Sequence, residues 1–326
     1  MEKETGFAGK GKILLSRSIT IRELVFAALL ILCASSLISA PVALLLGILT
    51  AHFIGHPFLQ FNHKVTHILL QFSVVGLGFG MDLSASLEAG RQGLVFSVVS
   101  VLGTLVLGFI VGKFLKVDQK ISHLIAAGTA ICGGSAIAAV CPVIRAEEKQ
   151  VSVALGTIFI LNSIALFVFP VIGHLLHLSQ EQFGVWSAVA IQDTSSVVGA
   201  AGRYGDQALQ IATTVKLTRA LWIIPVALIS SWIYKNDNSR IRIPWFIGLF
   251  IIAVVMNTYV PVIHDAGTYI AGISKAGLTI TLFLIGSGMT GLLLKSVGFR
   301  PILQGVILWV MLSVVALAAV ILSIGF

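Results

Sequence analysis

Charged residues are scarce in this sequence. Only 10% of its 326 residues are charged and 57% are hydrophobic, with a mean hydropathy of +1.02. A soluble domain usually has about 25% charged residues, because polar groups must cover much of its surface. The sequence therefore predicts an integral membrane protein. Its formal net charge of +8 does not indicate nucleic-acid binding, because the basic residues lie between apolar runs.

Cysteines and catalytic motifs are scarce as well. The three cysteines, Cys33, Cys132 and Cys141, lie in apolar stretches without a Cys-x-x-Cys pair, which argues against a disulfide framework. No Gly-x-Ser-x-Gly or His-Glu-x-x-His motif occurs. Two histidine pairs have i,i+4 spacing, but without neighbouring cysteines or carboxylates they favour packing over metal binding. We therefore expect neither an enzyme nor a bound cofactor or metal.

Long apolar runs follow a basic N-terminal tail, residues 1–22. A spanning helix needs about 20 mostly apolar residues, because the hydrocarbon core is about 30 Å thick. Polar, proline and glycine residues divide the transmembrane domain, 23–326, into eleven predicted spans. They cover about 23–39, 41–55, 65–83, 93–113, 122–145, 150–177, 183–202, 208–234, 243–262, 270–293 and 299–325. The first span resembles a signal peptide, but Pro41 would directly follow the cleavage site, so we interpret it as uncleaved.

The distribution of basic residues in the predicted loops sets the orientation. If the N-terminus is cytoplasmic, most Lys and Arg residues fall in inside segments, and the outside loops hold four: Arg91, Arg145, Lys149 and Arg203. Cytoplasmic loops of membrane proteins carry an excess of Lys and Arg. The sequence therefore predicts a cytoplasmic N-terminus and an outside C-terminus, in the inner membrane of a bacterium.

Glycine clusters in two predicted spans suggest an inverted repeat. Gly133-Gly134-Ser135 lies in the fifth span and Gly286-Ser287-Gly288 in the tenth, five spans apart. Halves of about 41–177 and 183–325, each with five helices, would then have opposite orientations, and the first span is extra. Breaks in helices 5 and 10 would free backbone groups that need a polar cavity and that bind anions at a helix N-terminus. The alternative is that the glycines only allow close helix packing.

Ionisable side chains lie inside two neighbouring predicted spans. The seventh span contains Asp193-Thr194-Ser195-Ser196, and the eighth contains Lys216 and Arg219 on one helix face. Charges within spans are costly and usually functional. One interpretation is a structural ion pair between Asp193 and one of the cations. The other is that the remaining cation binds an anionic substrate, whereas Lys275, early in the tenth span, can reach water.

Four runs carry a family resemblance, at residues 126–139, 192–201, 215–219 and 283–289. On these runs the chain resembles the YeiH-type membrane proteins of bacteria, which are named the sulfate exporter family. The resemblance implies a fold of the bile acid/sodium symporter type, with ten helices in two inverted halves plus one extra. Gln192 departs from the family pattern, in which histidine is expected, and this puts proton handling in doubt. The family name does not settle whether the substrate is sulfate, sulfite or an organosulfonate.

The leading hypothesis is a secondary transporter that moves a small anion by alternating access, at a site where spans 5 and 10 cross. The residues expected to line this site are Asp193, Thr194, Ser195, Ser196, Lys216 and Arg219. The residues expected to shape it are Gly133, Gly134, Ser135, Gly286, Ser287 and Gly288. The expected partners are the lipid bilayer and the anion, and homo-oligomers are left open. The alternatives are a cation/proton antiporter that uses Asp193, a non-transporting membrane protein and an intramembrane enzyme.

Overall fold

A computed structural model describes residues 21–35, 38–81, 83–234, 245–289 and 297–323. Every regular element in these ranges is an α-helix, which confirms the predicted all-α fold. The helices are α1 (Ile21–Ala34), α2 (Ala40–Phe53), α3 (Leu59–Gly78), α4 (Leu83–Phe114), α5 (Gln119–Ala130), α6 (Gly134–Val140), α7 (Glu148–Leu175), α8 (Gln180–Ala190), α9 (Thr194–Tyr204), α10 (Asp206–Ala220), α11 (Ile223–Ile233), α12 (Trp245–Tyr259), α13 (Pro261–Gly288) and α14 (Phe299–Ser323).

Several of these helices have the length and composition of membrane spans. Within the described residues, five segments are long and apolar enough to cross a bilayer: Ser97–Phe114, Lys149–Leu175, Asp206–Ile233, Asp265–Gly288 and Phe299–Ser323. Two shorter apolar helices occupy Pro41–Phe53 and Trp245–Tyr259. The chain is thus a multi-pass membrane protein. Most of the predicted tail, the segment 235–244 between the eighth and ninth predicted spans, and the end of the tenth predicted span, 290–293, lie outside the described residues.

The fifth predicted span is a helical hairpin that returns to the end from which it starts. Asp118 caps α5 by accepting from the amides of Lys120 and Ile121, both at 3.1 Å. The Lys120 ammonium donates to the carbonyl of Arg145 beyond α6 at 2.8 Å, and the Gln150 side chain donates to Asp118 at 3.0 Å. We call α5, the turn 131–133 and α6 hairpin 1. The prediction that residues 122–145 cross the membrane is therefore wrong.

The seventh predicted span is a second hairpin. A capping box between Ser179 and Gln182 begins α8. The Tyr204 hydroxyl, at the end of α9, donates to the carbonyl of Leu178 at 2.6 Å. Its ring stacks on Phe183 of α8, with centroids 3.8 Å apart. We call α8, the turn 191–193 and α9 hairpin 2, and the prediction that residues 183–202 form one crossing is also wrong.

The two hairpins enter from opposite ends of α7. Hairpin 1 opens beside Glu148, where α7 begins, and hairpin 2 opens beside Leu178, just after α7 ends. At 1.5 Å per residue, the 12 residues of α5 and the 11 of α8 are each about 16–18 Å long. This is about half of a hydrocarbon core. The hairpin tips therefore meet near the middle of the membrane.

The tenth predicted span contains a helix that ends at the predicted glycine cluster. Helix α13 runs through Gly286 and Ser287 without interruption and ends at Gly288. Met289 after it has a non-helical conformation, with φ −77° and ψ 69°. At the hairpin tips, in spans 5 and 7, the backbone leaves the helical region and the chain turns back. Because residues 290–293 lie outside the described residues, the interruption predicted inside span 10 stays a prediction.

The Gly286 cluster serves helix packing. A Cβ atom on Gly286 would lie 2.3 Å from the carbonyl oxygen of Leu44 and 3.2 Å from Cα of Gly47, both in α2. A Cβ atom on Gly288 would lie 2.6 Å from the amide nitrogen of the Asn62 side chain in α3. The buried Ser287 hydroxyl donates back to the carbonyl of Leu284 at 3.0 Å. The close packing of α13 on α2 and α3 explains these small residues.

The remaining helices surround the hairpins. Helix α10 packs on α8, α9 and α4, and α14 packs on α4, α5, α7 and α8. Helices α10 and α11 follow each other directly and form one segment, which is interrupted at Leu221 and Trp222.

All three cysteines are free, as the sequence predicts.

Candidate functional site

The turns of the two hairpins touch each other in the interior. A Cβ atom on Gly133 would lie 3.4 Å from both Cα and Cβ of Asp193. The Gln192 side chain donates from Nε2 to the Thr129 hydroxyl of α5 at 3.1 Å, and Gln192 is fully buried. The tips of hairpins 1 and 2 therefore form one polar cluster, which we call the tip cluster.

Glycine is required at the turn of hairpin 1. Gly133 has φ 61° and ψ −120°, a conformation that side-chain-bearing L-residues rarely adopt. Its missing side chain also leaves room for Ile158 of α7, whose Cγ2 would be 3.2 Å from a Cβ atom. Gly133 thus shapes the break as the sequence predicts. At this break, however, the chain reverses its direction and does not continue across the membrane.

Helix α7 holds hairpin 2 in place through Asn162. The Oδ1 atom of Asn162 accepts from the backbone amides of Gln192 and Asp193, at 3.0 and 3.2 Å. These amides would otherwise be buried without a partner. Asn162 is 14 residues beyond Glu148, at the midpoint of the 28-residue α7, so the tip cluster lies halfway along this helix.

Asp193 caps the second helix of hairpin 2. Its Oδ2 atom accepts from the amides of Ser195 at 3.1 Å and Ser196 at 3.4 Å, and from the Ser195 hydroxyl. A carboxylate at this position stabilises the positive end of α9. Its Oδ1 atom accepts no hydrogen bond from the described residues, and Asp193 is 8% exposed. One carboxylate oxygen is therefore left for another partner.

Lys216 of α10 binds the carboxyl end of α8. Its ammonium donates to the carbonyl of Ile191 at 2.7 Å and lies 3.4 Å from that of Ala188. The side chain is fully buried. Carbonyl groups at a helix end carry partial negative charge and lack intrahelical partners, so a cation there is stabilising.

Arg219, one turn further along α10, binds the carboxyl end of α5. It donates from one terminal nitrogen to the carbonyl of Ala130, the last residue of α5, and from the other to the Ser100 hydroxyl of α4 at 2.6 Å. Arg219 is fully buried as well. The i,i+3 spacing of Lys216 and Arg219 therefore places one cation at the first arm of each hairpin.

The expected ion pair with Asp193 is not formed. Neither cation has a carboxylate oxygen within 4 Å among the described residues. Lys216, Arg219 and Asp193 are the buried charged side chains of the described chain, so the cluster carries a formal charge of +1. Each tip contributes one helix C-terminus and one helix N-terminus, whose partial charges offset each other. The helix dipoles therefore do not remove this surplus.

Unpaired polar atoms adjoin the same cluster. Nδ2 of Asn162, Oε1 of Gln192 and Nε of Arg219 are buried and have no hydrogen-bond partner among the described residues. A buried polar atom without a hydrogen bond costs about 1–3 kcal/mol. The cluster thus has donors and acceptors available for a ligand, an ion or water.

The structure brings together most of the predicted site residues. Thr194, Ser195 and Ser196 form the first turn of α9, and Gly134 and Ser135 form that of α6. Lys275, by contrast, lies at the surface, with 51% of its side chain exposed and its ammonium 2.7 Å from Asp206. Lys275 thus reaches water, as expected.

Three residues of the cluster were not among the predicted site residues: Asn162, Thr129 and Gln192. Asn162 and Ser163 interrupt the apolar run of α7, and a polar side chain such as that of Asn162 in the middle of a span is a signal for function. Thr129 has no comparable signal, because threonine is common where membrane helices pack.

These features define a class of protein: a multi-pass α-helical membrane protein in which two re-entrant hairpins, from opposite ends, meet at a buried and positively charged cluster. Comparison with known proteins gives the family. Residues 12–305 match the model of the family described as Conserved hypothetical protein 698. The chain belongs to this family, the YeiH-type proteins that the sequence resembles.

Bacterial relatives cover most of the chain. It is 54% identical over 286 residues to a UPF0324 membrane protein of Bacteroides thetaiotaomicron, with 87% of each chain covered. It is 51% identical over 292 residues to a UPF0324 membrane protein of Porphyromonas gingivalis, with 88% of each covered. A third, from Photobacterium profundum, is 50% identical over 295 residues, with 90% of each covered. No solved structure matches the chain.

Proposed function

We propose that the protein is a secondary transporter that moves a small anion by alternating access, with sulfur oxyanions as the first candidates. The observation that carries this proposal is the tip cluster, which lies between opposed hairpins and has one more cation than carboxylate. A charge buried in a membrane protein without a counter-charge is costly. A bound anion would supply the missing charge.

The charge of the cluster also bears on the form of the substrate. With Lys216, Arg219 and Asp193 ionised, the formal charge is +1, so a monovalent anion makes the occupied site neutral. A divalent anion such as sulfate leaves it at −1, unless a proton binds as well. Asp193 has one carboxylate oxygen that accepts no hydrogen bond from the described residues, and it is the group that would take this proton. Transport of a divalent anion would therefore be coupled to protons.

The opposed hairpins provide a physical basis for alternating access. Gln192, Ser195, Lys216 and Arg219 are fully buried, so the structure represents a closed arrangement. Each tip is reached from its own end of the membrane. Displacement of hairpin 1 would open the cluster to one side, and displacement of hairpin 2 would open it to the other.

The hairpins strengthen the proposed orientation. The sequence assigned Arg145 and Lys149 to the outside, but the contacts of hairpin 1 place them at the end that holds Lys113 and Lys116. Moving these two residues concentrates the basic charge further on one side. By the positive-inside rule this end is cytoplasmic, together with the N-terminus.

Flux measurements in proteoliposomes test the proposal. Sulfate and sulfite uptake would be compared for wild type and Arg219→Gln, with and without a pH gradient, and Lys275→Gln serves as a control at an exposed lysine. We expect saturable uptake in wild type and the control, and its loss in Arg219→Gln. Folded wild-type protein that moves neither anion, nor organosulfonates, would contradict the proposal.

A cation/proton antiporter is the second candidate, and one observation favours it. Oδ1 of Asp193 and Oε1 of Gln192 are two acceptor oxygens at the same tip that accept no hydrogen bond from the described part of the chain. Oxygen atoms of this kind bind cations. Proton-coupled cation flux that is abolished by Asp193→Asn would support the antiporter. The surplus of buried cationic side chains favours the anion transporter.

A further inference from the structure

A groove separate from the tip cluster lies between α4, α5 and α11. It has a volume of about 710 Å³. Val106 and Phe109 of α4 and Ile229 of α11 line it, and they are 60%, 62% and 47% exposed. Apolar side chains exposed on membrane-length helices face lipid rather than water. The groove is therefore open to the bilayer.

The length of the groove matches one leaflet. Its lining extends from Leu105 in α4 to Lys116, just after α4 ends, and from Val226 in α11 to Tyr234, just after α11 ends. The helical part from Leu105 to Phe114 rises about 14 Å, close to half of a 30 Å hydrocarbon core. The apolar residues occupy the part nearer the membrane centre. Lys113, Lys116 and Gln119 occupy the part at the end of α4, at the depth expected for headgroups.

The mouth of the groove is positively charged. Lys113 and Lys116 line it, are exposed, and form no ion pair with any described residue. Lys116 is the turn residue after α4, held in the left-handed region with φ 54°. Lysines near a membrane surface attract anionic lipids. The apolar walls make the groove unsuitable for a small hydrated anion, because they offer such an ion few hydrogen bonds.

We propose that this groove binds a phospholipid with an anionic headgroup. One acyl chain lies along Phe109 and Ile229, and the headgroup phosphate lies between Lys113 and Lys116. His123 of α5 also lines the groove, and its Nε2 is 2.8 Å from the Ser230 hydroxyl of α11. The lipid thus packs against α5, the first helix of hairpin 1. This site is independent of the proposed transport function.

Native mass spectrometry of the purified protein in detergent tests the site. Phosphatidylglycerol and phosphatidylcholine with the same acyl chains would be titrated separately into wild type and three variants. An anionic-lipid contact is worth about fivefold in affinity per lysine. We expect wild type to prefer phosphatidylglycerol, Lys113→Gln/Lys116→Gln to bind it about thirtyfold more weakly, and Lys149→Gln, at the same end but outside the groove, to bind like wild type.

The third variant tests the acyl-chain part of the groove. Ile229→Trp fills the groove from a lipid-facing position and should weaken both lipids alike, whereas the lysine variant should affect phosphatidylglycerol alone. Equal binding of both lipids to wild type would overturn the proposal. So would a lysine variant that binds phosphatidylglycerol like wild type, or an equal loss in Lys149→Gln.

Discussion

Asn162→Leu tests how hairpin 2 is held at the centre of the protein. The Asn162 side chain accepts from two backbone amides of the hairpin tip, those of Gln192 and Asp193. Leucine has a similar size and accepts no hydrogen bond, so the substitution leaves both amides buried and unpaired. Each such amide costs about 1–3 kcal/mol. The hairpin tip should therefore be destabilised by about 2–6 kcal/mol relative to its opened forms.

The appropriate assay is hydrogen–deuterium exchange of the peptide that contains residues 191–196. Exchange of buried amides reports local opening, and about 1.4 kcal/mol corresponds to a tenfold change in an equilibrium. The lower bound of about 2 kcal/mol predicts exchange about thirtyfold faster at this tip. Asn162→Asp keeps the accepting oxygen, so the amides of residues 191–196 should exchange much more slowly in this variant than in Asn162→Leu.

Thr157→Val is the matched control on the same helix. Thr157 is fully buried like its neighbours, but its hydroxyl only donates to the carbonyl of Val153 within α7, at 2.9 Å. Its loss should leave the exchange of hairpin 2 unchanged. If Asn162→Leu and Thr157→Val exchange alike at residues 191–196, the role assigned to Asn162 is refuted.

Three further substitutions separate backbone, packing and surface effects, and each is checked by thermal unfolding in detergent. Gly133→Ala forces a side chain into a turn with positive φ and should lower the stability of the protein by about 1–3 kcal/mol. Its control, Gly103→Ala in an open part of α4, should be neutral or stabilising. Equal unfolding midpoints for the two variants would contradict the strained turn. Gly286→Ala places a methyl group against the α2 backbone and should cost about 1–3 kcal/mol, whereas Gly272→Ala on the same helix meets no atom within 4 Å and should not. Lys275→Gln removes an exposed ion pair with Asp206 and should change stability by less than about 1 kcal/mol, so a larger loss would show that this pair supports the fold.

The sequence predicts the membrane class, the helices and the charged residues of the cluster, because apolar runs and buried charges leave strong local signals. It also predicts the break at Gly133. It does not predict that the chain turns back at this break. A hairpin of two half-length helices and a single interrupted span have the same apolar length, and only contacts such as Lys120 with Arg145 distinguish them.

The sequence also does not predict which groups the buried cations bind. Lys216 and Arg219 were expected to pair with Asp193 or a substrate, but their hydrogen bonds go to backbone carbonyls at the ends of α8 and α5. Backbone carbonyls carry no sequence signature. The same limit explains Gly286, where glycine for packing and glycine for a break look alike until the neighbouring helix is known.

Sided cysteine labelling tests the opposed hairpins most directly. Single cysteines would replace Gln119, Lys149, Leu176 and Arg203, all exposed, in a background without the three native cysteines. Each would be labelled in intact cells with a membrane-impermeant reagent. With two opposed hairpins, positions 119 and 149 should be protected together, and positions 176 and 203 should be labelled together. Alternation along the chain, with 119 and 176 on one side and 149 and 203 on the other, would contradict the two hairpins and restore eleven simple spans.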